Sequence, residues 1–177
     1  MKTIRLTQGK VAIVDDDLFA ELNKFKWTVL KGHKTYYAYR KGSKHEGCKN
    51  IYMHREIFRL RGETIPRLVD HRDRDGLHNW WDNLRPASMS ESNRNQSRKK
   101  SNTSGFIGVS KENDSWLATV RQQDGRKIRL GHFDDPFSAA WVRDQYIKAH
   151  FPEFGITNNL CDRRRKSVLV KLERRKC

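Results

Sequence analysis

Leu68-Val69-Asp70-His71, followed twelve positions after the His by Asn83-Leu84-Arg85-Pro86 and then by Ser88-Met89-Ser90-Glu91, decides how this chain is read. Leu68 to His71 is a short apolar run ending in polar residues, which predicts a strand that stops where the chain turns. Arg72 to Gly76 predicts a loop. Asn83-Leu84-Arg85 predicts a second short strand, stopped by Pro86. Ser88 and Glu91 have capping-box spacing, so a helix is expected to start near Met89. Neighbouring residues on a strand point to opposite faces, so Asp70 and His71 can share a site only at a strand end. An Asp is a hard oxygen donor suited to Mg²⁺ or Mn²⁺. A His is the side chain whose pKa suits a general base near neutral pH. Together they predict hydrolysis of a phosphodiester, which needs a nucleophile and a cation to absorb charge.

The rest of the chain points to the polymer that carries such bonds. Lys and Arg number 37 against 21 Asp and Glu in 177 residues, a formal charge of +16. Such a balance predicts a polyanion partner whose affinity falls steeply with salt. No apolar run approaches the ~18 residues of a membrane span. The N-terminus, Met1 to Arg5, lacks a signal-peptide core, and Cys48, Cys161 and Cys177 form no Cys-x-x-Cys pair. A DNA-associated protein of a reducing cytoplasm is expected, without a membrane or small-molecule partner. His45 and Cys48 have no second ligand pair, so no structural zinc is expected.

Outward from the central segment, residues 1–66 read as a β-rich module. Strands are expected at Lys10 to Val14, Trp27 to Leu30, Tyr36 to Arg40 and Ile51 to Met53. Asp15-Asp16-Asp17 can cap a helix carrying Leu18, Phe19, Leu22 and Phe25, and a second helix is expected from His54 to Arg61. Ser97 to Ser104 is polar and basic and reads as a linker. Beyond it, Phe106 to Lys111, Ser115 to Arg121 and Lys127 to His132 predict three strands, with a turn at Asp124-Gly125. Asp135-Pro136 marks a helix start. Alternation on the second of these strands places Trp116, Ala118 and Val120 on one face. Arg121, Lys127 and Arg129 fall on an opposite, basic face able to contact DNA.

The central segment resembles the HNH endonucleases, in the branch of phage and intron homing endonucleases. The matching residues are Val69-Asp70-His71, Asp75-Gly76-Leu77, Asn79, Asn83-Leu84-Arg85 and Ala87-Ser88. The resemblance implies a ββα-metal core with one divalent ion, Mg²⁺ or Mn²⁺. It implies Asp70 as metal ligand, His71 as general base, Asn83 as the residue that orients the base, and Arg85 as a DNA contact. Asn79 is the alternative brace of the loop. The family's helix ligand falls about 21 positions after the catalytic His, where this chain has Ser92. Asn93 stands one position late, a rotation of about 100° on a helix. Asn93 is the expected ligand if the turn at Pro86 to Ser88 absorbs a residue; otherwise Ser92, a water or Asn95 serves.

Gly105-Phe106-Ile107-Gly108-Val109-Ser110, Trp116-Leu117-Ala118, Leu130-Gly131-His132-Phe133 and Ala139-Ala140 resemble the Apetala-type (ethylene-response-factor) DNA-binding domain. That resemblance implies three strands and a helix that read DNA. The expected organisation is therefore α+β. Residues 1–98 would hold the module and nuclease core, with the nuclease motif at 67–98. A linker at 99–103 would lead to a DNA-binding domain at 104–159 and a basic tail at 160–177. The expected activity is a site-specific, metal-dependent DNA endonuclease that cuts or nicks double-stranded DNA. One metal site per chain implies one strand cut per site, in a monomer or weak dimer. The competing expectation is a DNA-binding protein that keeps the fold without the activity; an RNA-binding protein would leave Asp70-His71 unexplained.

Overall fold

The backbone is mixed α+β, with several small sheets and short helices. The computed structural model describes residues 1–43, 47, 49–95, 98, 101–158 and 160. His45, Cys48, residues 99 and 100 of the expected linker, and the tail from Cys161 lie outside the described residues. The chain divides into two compact units, the first Met1–Met89 and the second starting at Ser90.

In the first unit β1 (Lys2–Arg5) pairs antiparallel with β2 (Val11–Val14), Arg5 opposite Val11. A short helix α1 (Phe19–Leu22) follows. Asp17 accepts a hydrogen bond from the Leu18 N–H at 3.0 Å, one residue earlier than a side-chain cap would. Strands β3 (Thr28–Lys31), β4 (Tyr36–Lys41) and β5 (Asn50–Tyr52) form an antiparallel meander. It runs straight into α2 (Met53–Leu60). Met53 and Ile57 recur at helical spacing and are fully buried, with Phe58 beside them. They join Val14, Leu22, Trp27 and Leu84 in one core. Trp27 buries its ring without stranding its N–H, which donates to the Leu22 carbonyl at 2.7 Å.

Two strands frame the central segment. β6 (Val69–His71) lies antiparallel to β8 (Leu84–Pro86), pairing Val69 with Pro86, Asp70 with Arg85 and His71 with Leu84. Between them β7 (His78–Asn79) adds a parallel edge to β2, a pairing that local pattern does not disclose. The loop before β7 lies against β4, where the Gly76 N–H donates to the Thr35 hydroxyl at 3.0 Å.

The second unit begins with α3 (Met89–Arg94), which is one residue into the first unit at its start. This helix bonds forward within the second unit. The Ser90 hydroxyl donates to the Gln123 carbonyl at 2.9 Å, and the Arg94 guanidinium lies 4.1 Å from the Phe151 ring centre. Strands β9 (Val109–Glu112), β10 (Ser115–Arg121) and β11 (Lys127–Phe133) form an antiparallel sheet, followed by α4 (Pro136–His150). Asp135 caps α4 by accepting the Ser138 N–H at 2.8 Å, with Pro136 in the first turn. Ala139 and Ala140 are fully buried in the core of this unit. The expected strict alternation on β10 fails. A bulge between Ala118 and Thr119 shifts the register, and the four residues from Leu117 to Val120 are all buried.

Gly76 tests how tightly the central loop is seated. A Cβ there would lie 2.5 Å from the Tyr36 carbonyl oxygen and 2.6 Å from the Tyr37 ring. Gly76→Ala is expected to lose about 1–3 kcal/mol of stability. A urea midpoint equal to that of the unmodified protein would show that the loop does not press on β4.

Candidate active site

Asp70 and His71 diverge at the end of β6 as a strand requires. Asp70 stands opposite Arg85, and the Arg85 Nε and Nη2 donate to its Oδ2 at 3.0 and 2.8 Å. Both side chains are buried, 9% and 6% exposed. Arg85 was expected to touch DNA; it is committed instead to a buried carboxylate. The reason is the register: residues opposite each other on an antiparallel pair share a face.

His71 is buried, 5% exposed, and its Nε2 lies 3.3 Å from the Asn79 Oδ1. The Asn79 amide nitrogen donates to the Gly76 carbonyl at 3.3 Å, which turns its oxygen toward the ring. An oxygen there accepts a hydrogen bond, so Nε2 carries the hydrogen and Nδ1 is the basic nitrogen of the neutral ring. Burial pushes the His71 pKa down; the Asn79 bond and the charges of Asp73, Asp70 and Asp75 pull against it. The net effect is downward, so the ring is in its basic form at neutral pH.

Asn83 was expected to orient His71, and it does not. Its Oδ1 accepts the Asp73 N–H at 3.0 Å, and its Nδ2 donates to Asp73 Oδ1 at 3.0 Å and the His78 carbonyl at 2.7 Å. Asn83 therefore closes the loop that Asn79 was thought to brace, and the two asparagines have exchanged roles. The reason is the β7 pairing with β2, which carries Asn79, fully buried, to the imidazole. In the same loop, burial alone would raise the pKa of Asp73. Bonds from the Asp75 N–H, His78 and Asn83 outweigh it and hold the carboxyl below its usual range.

Two rings meet His71, and a third backs one of them. Tyr37 lies 6.0 Å from it, centre to centre, and His54 meets it edge-on at 5.4 Å. Tyr52 stacks on His54 at 5.5 Å. Burial raises the Tyr37 pKa, with Asp70 and Tyr52 adding to the effect, so the phenol stays neutral. Burial and the neighbouring His71 and Arg55 push the His54 pKa down to about 3. The His54 Nδ1 is enclosed and meets no hydrogen-bond partner among the described residues. Sequence reasoning placed neither Tyr37 nor His54 in the site. For Tyr37 the signal was period-two alternation with Tyr39 on β4, whereas His54 stands in the first turn of α2, where strand alternation does not reach.

A curated protein, Protein 3.8 of Escherichia phage T7, is 38% identical to this chain over 93 residues. The match covers half of this chain and 76% of the relative. The chain belongs to the family of phage T7 Protein 3.8. No protein-family model matches the chain, and no solved structure matches it. Kinship with Protein 3.8 carries no chemistry in its name, so for this family the chemistry rests on the side chains.

The remaining expected residues lie in the second unit. Asn93 is on α3. Arg121, Lys127 and Arg129 are exposed on the strands β10 and β11, Arg121 directly opposite Lys127. Arg121 donates to the Gly125 carbonyl at 3.0 Å, and Arg129 pairs with Glu112. Among the described residues, no helix is long and apolar enough to cross a membrane.

Two outcomes follow from the first unit's buried charges. Arg85→Ala strands the Asp70 carboxylate and is expected to cost about 3–5 kcal/mol in urea unfolding; a loss under about 0.5 kcal/mol, the range of ordinary surface changes, would contradict it. The second concerns acid. With a folded pKa near 3 against 6.5 unfolded, His54 binds its proton more readily in the unfolded chain. Its contribution is complete above pH 6.5 and is lost as the pH falls from there toward 3. Unfolding free energies measured across that window should therefore fall less steeply for His54→Phe than for the unmodified protein.

Proposed function

We propose that the protein is a metal-dependent DNA endonuclease of the HNH type, cutting or nicking double-stranded DNA at particular sites. The observation that carries this reading is His71: a buried, neutral imidazole, its Nε2–H held on Asn79, next in sequence to a carboxylate. An orienting acceptor on one nitrogen prepares the other to take a proton, as a general base requires. In this reading Nδ1 takes a proton from the attacking water. The Nε2–H stays on Asn79, so the ring does not rotate as it charges. Asp70 and Asp73, whose charges already favour the protonated ring, stabilise the imidazolium that forms.

One carboxylate of the site is of the kind a hard cation takes. Mg²⁺ keeps several waters and is commonly bound through one or two carboxylates plus substrate phosphate oxygens. Asp70 offers one such carboxylate, oriented by Arg85. A cation there would absorb charge on the phosphate and on the leaving oxygen. Asn93, on α3, belongs to the second unit, and the reading does not depend on it. The formal charge of +16 and the exposed Arg121, Lys127 and Arg129 support DNA as the substrate. The homing character rests on the family resemblance alone.

One observation favours a second reading, a DNA-binding protein without catalysis: Asp70 is held by Arg85 and His71 is almost closed to solvent. Supercoiled and linear DNA incubated with the protein and Mg²⁺ or Mn²⁺, with EDTA controls, separates the two. The nuclease reading expects cleavage that EDTA stops and that His71→Ala lowers by about 10²-fold or more. Binding without cleavage at any tested site would favour the second reading. Asn79→Ala should slow cleavage far more than its effect on stability explains, whereas Asn83→Ala should act chiefly through stability. Lys127→Ala should weaken binding across unrelated DNA sequences and reduce the slope of log K against log salt by about one; an unchanged slope would remove Lys127 from the interface.

A further inference from the structure

A cavity of about 380 Å³ opens in the first unit beside Tyr52. Phe25, Tyr52 and Ile65 line it, with Arg55, Glu56 and Arg59. Its volume is within the range of small-ligand sites. Phe25 and Ile65 are 40% and 39% exposed, large apolar side chains left open where the core nearby is closed. Beneath them lies a buried ion pair. Arg40 Nη2 donates to Glu56 Oε1 at 3.3 Å, and Arg59 holds the same carboxylate through Nε at 3.2 Å and Nη2 at 2.7 Å. The Arg40 guanidinium lies 4.1 Å from the Phe25 ring centre. Planar apolar walls, a carboxylate at depth and an excess of guanidinium around it form a combination suited to a nucleotide. Rings take a base, the carboxylate accepts from an exocyclic amino group, and the cations take phosphate.

Ring contacts link the wall of the cavity to the candidate active site. Tyr52 lines the cavity and stacks on His54, and His54 meets His71 edge-on. Resting on the DNA reading above for the source of its ligand, we propose that this cavity receives one base of the DNA strand, turned out of the stack, next to the phosphodiester at His71. The base packs against Phe25, Ile65 and Tyr52, presents an amino group toward Glu56, and leaves its phosphate to Arg55 and Arg59. Enzymes that turn a base out read it in this way, by stacking and by bonds to its edge. Charge complementarity and the shared Tyr52 select a nucleotide over an apolar protein side chain, which would not use Arg55 and Arg59.

The test uses the full chain with ¹³C-labelled isoleucine methyl groups and free mononucleotides, so it does not depend on cleavage. Deoxyadenosine and deoxycytidine 5′-monophosphate should move, saturably, the methyl resonances of Ile65 and of Ile51, which also lines the cavity. Ile65→Trp, which fills the cavity from its exposed wall, should weaken that binding by about tenfold or more. The buried Ile4 and Ile57 methyls report that this variant is folded. No movement of Ile51 and Ile65 up to about 10 mM nucleotide would overturn the proposal. So would the same shifts from inorganic phosphate alone, or unchanged binding in Ile65→Trp. Nucleotide binding without any DNA cleavage would leave the cavity standing and remove the nuclease; cleavage without nucleotide binding would do the reverse.

Discussion

The ion pair between Asp70 and Arg85 is the interaction on which the rest of the central segment depends. Two charged side chains with less than a tenth of their surface exposed are tolerable only when they satisfy each other. They do so across β6 and β8, where they stand directly opposite. A slip of one residue between the strands would put the two side chains on opposite faces and part them. The pair therefore specifies a register, and the register puts His71 at the end of β6, opposite Leu84. From that end the chain turns through Asp73 to Gly76 and returns along β2 with Asn79 facing the imidazole.

The same logic recurs in the first unit at Arg40 and Glu56, and together the two pairs describe how a chain of charge +16 builds a neutral interior. Buried cations are matched by carboxylates, while His54 and His71 are kept uncharged by burial. The excess of positive charge is left at the surface, where salt can screen it and phosphates can reach it. In the proposed function these are complementary tasks: exposed cations find the DNA, and a desolvated, neutral base waits for a water.

Much of this was legible in the sequence because local signals and tertiary structure agree. Asp135-Pro136 begins α4, Asp124-Gly125 turns β10 into β11, and the strands on either side of Asp70 and Asn83 fall within a residue or two of expectation. The misreadings share a cause. Asn79 and Asn83 are both short amides near a loop, and only the parallel pairing of β7 with β2, a contact between residues far apart in sequence, decides which one reaches His71. Arg85 looked like a DNA contact because its partner across the strand pair was assigned to a metal alone. The bulge at Ala118 and Thr119 breaks the alternation on which the two faces of β10 were drawn. The helix after Pro86 was expected where it stands, but its hydrogen bonds to the second unit are invisible to capping residues. The resemblances to nuclease and DNA-binding families guided the reading of residues; kinship with phage T7 Protein 3.8 is what comparison with known proteins adds.

The central claim is that Asn79 holds His71 as a neutral imidazole with its proton on Nε2 and its lone pair on Nδ1. Nitrogen-15 NMR of the imidazole side chains in the full-length protein at neutral pH reads both nitrogens directly. The account predicts a His71 ring with a protonated Nε2 and an unprotonated Nδ1, a pattern that Asn79→Ala disturbs and Asn83→Ala preserves. A cationic ring, or a proton on Nδ1, would contradict it.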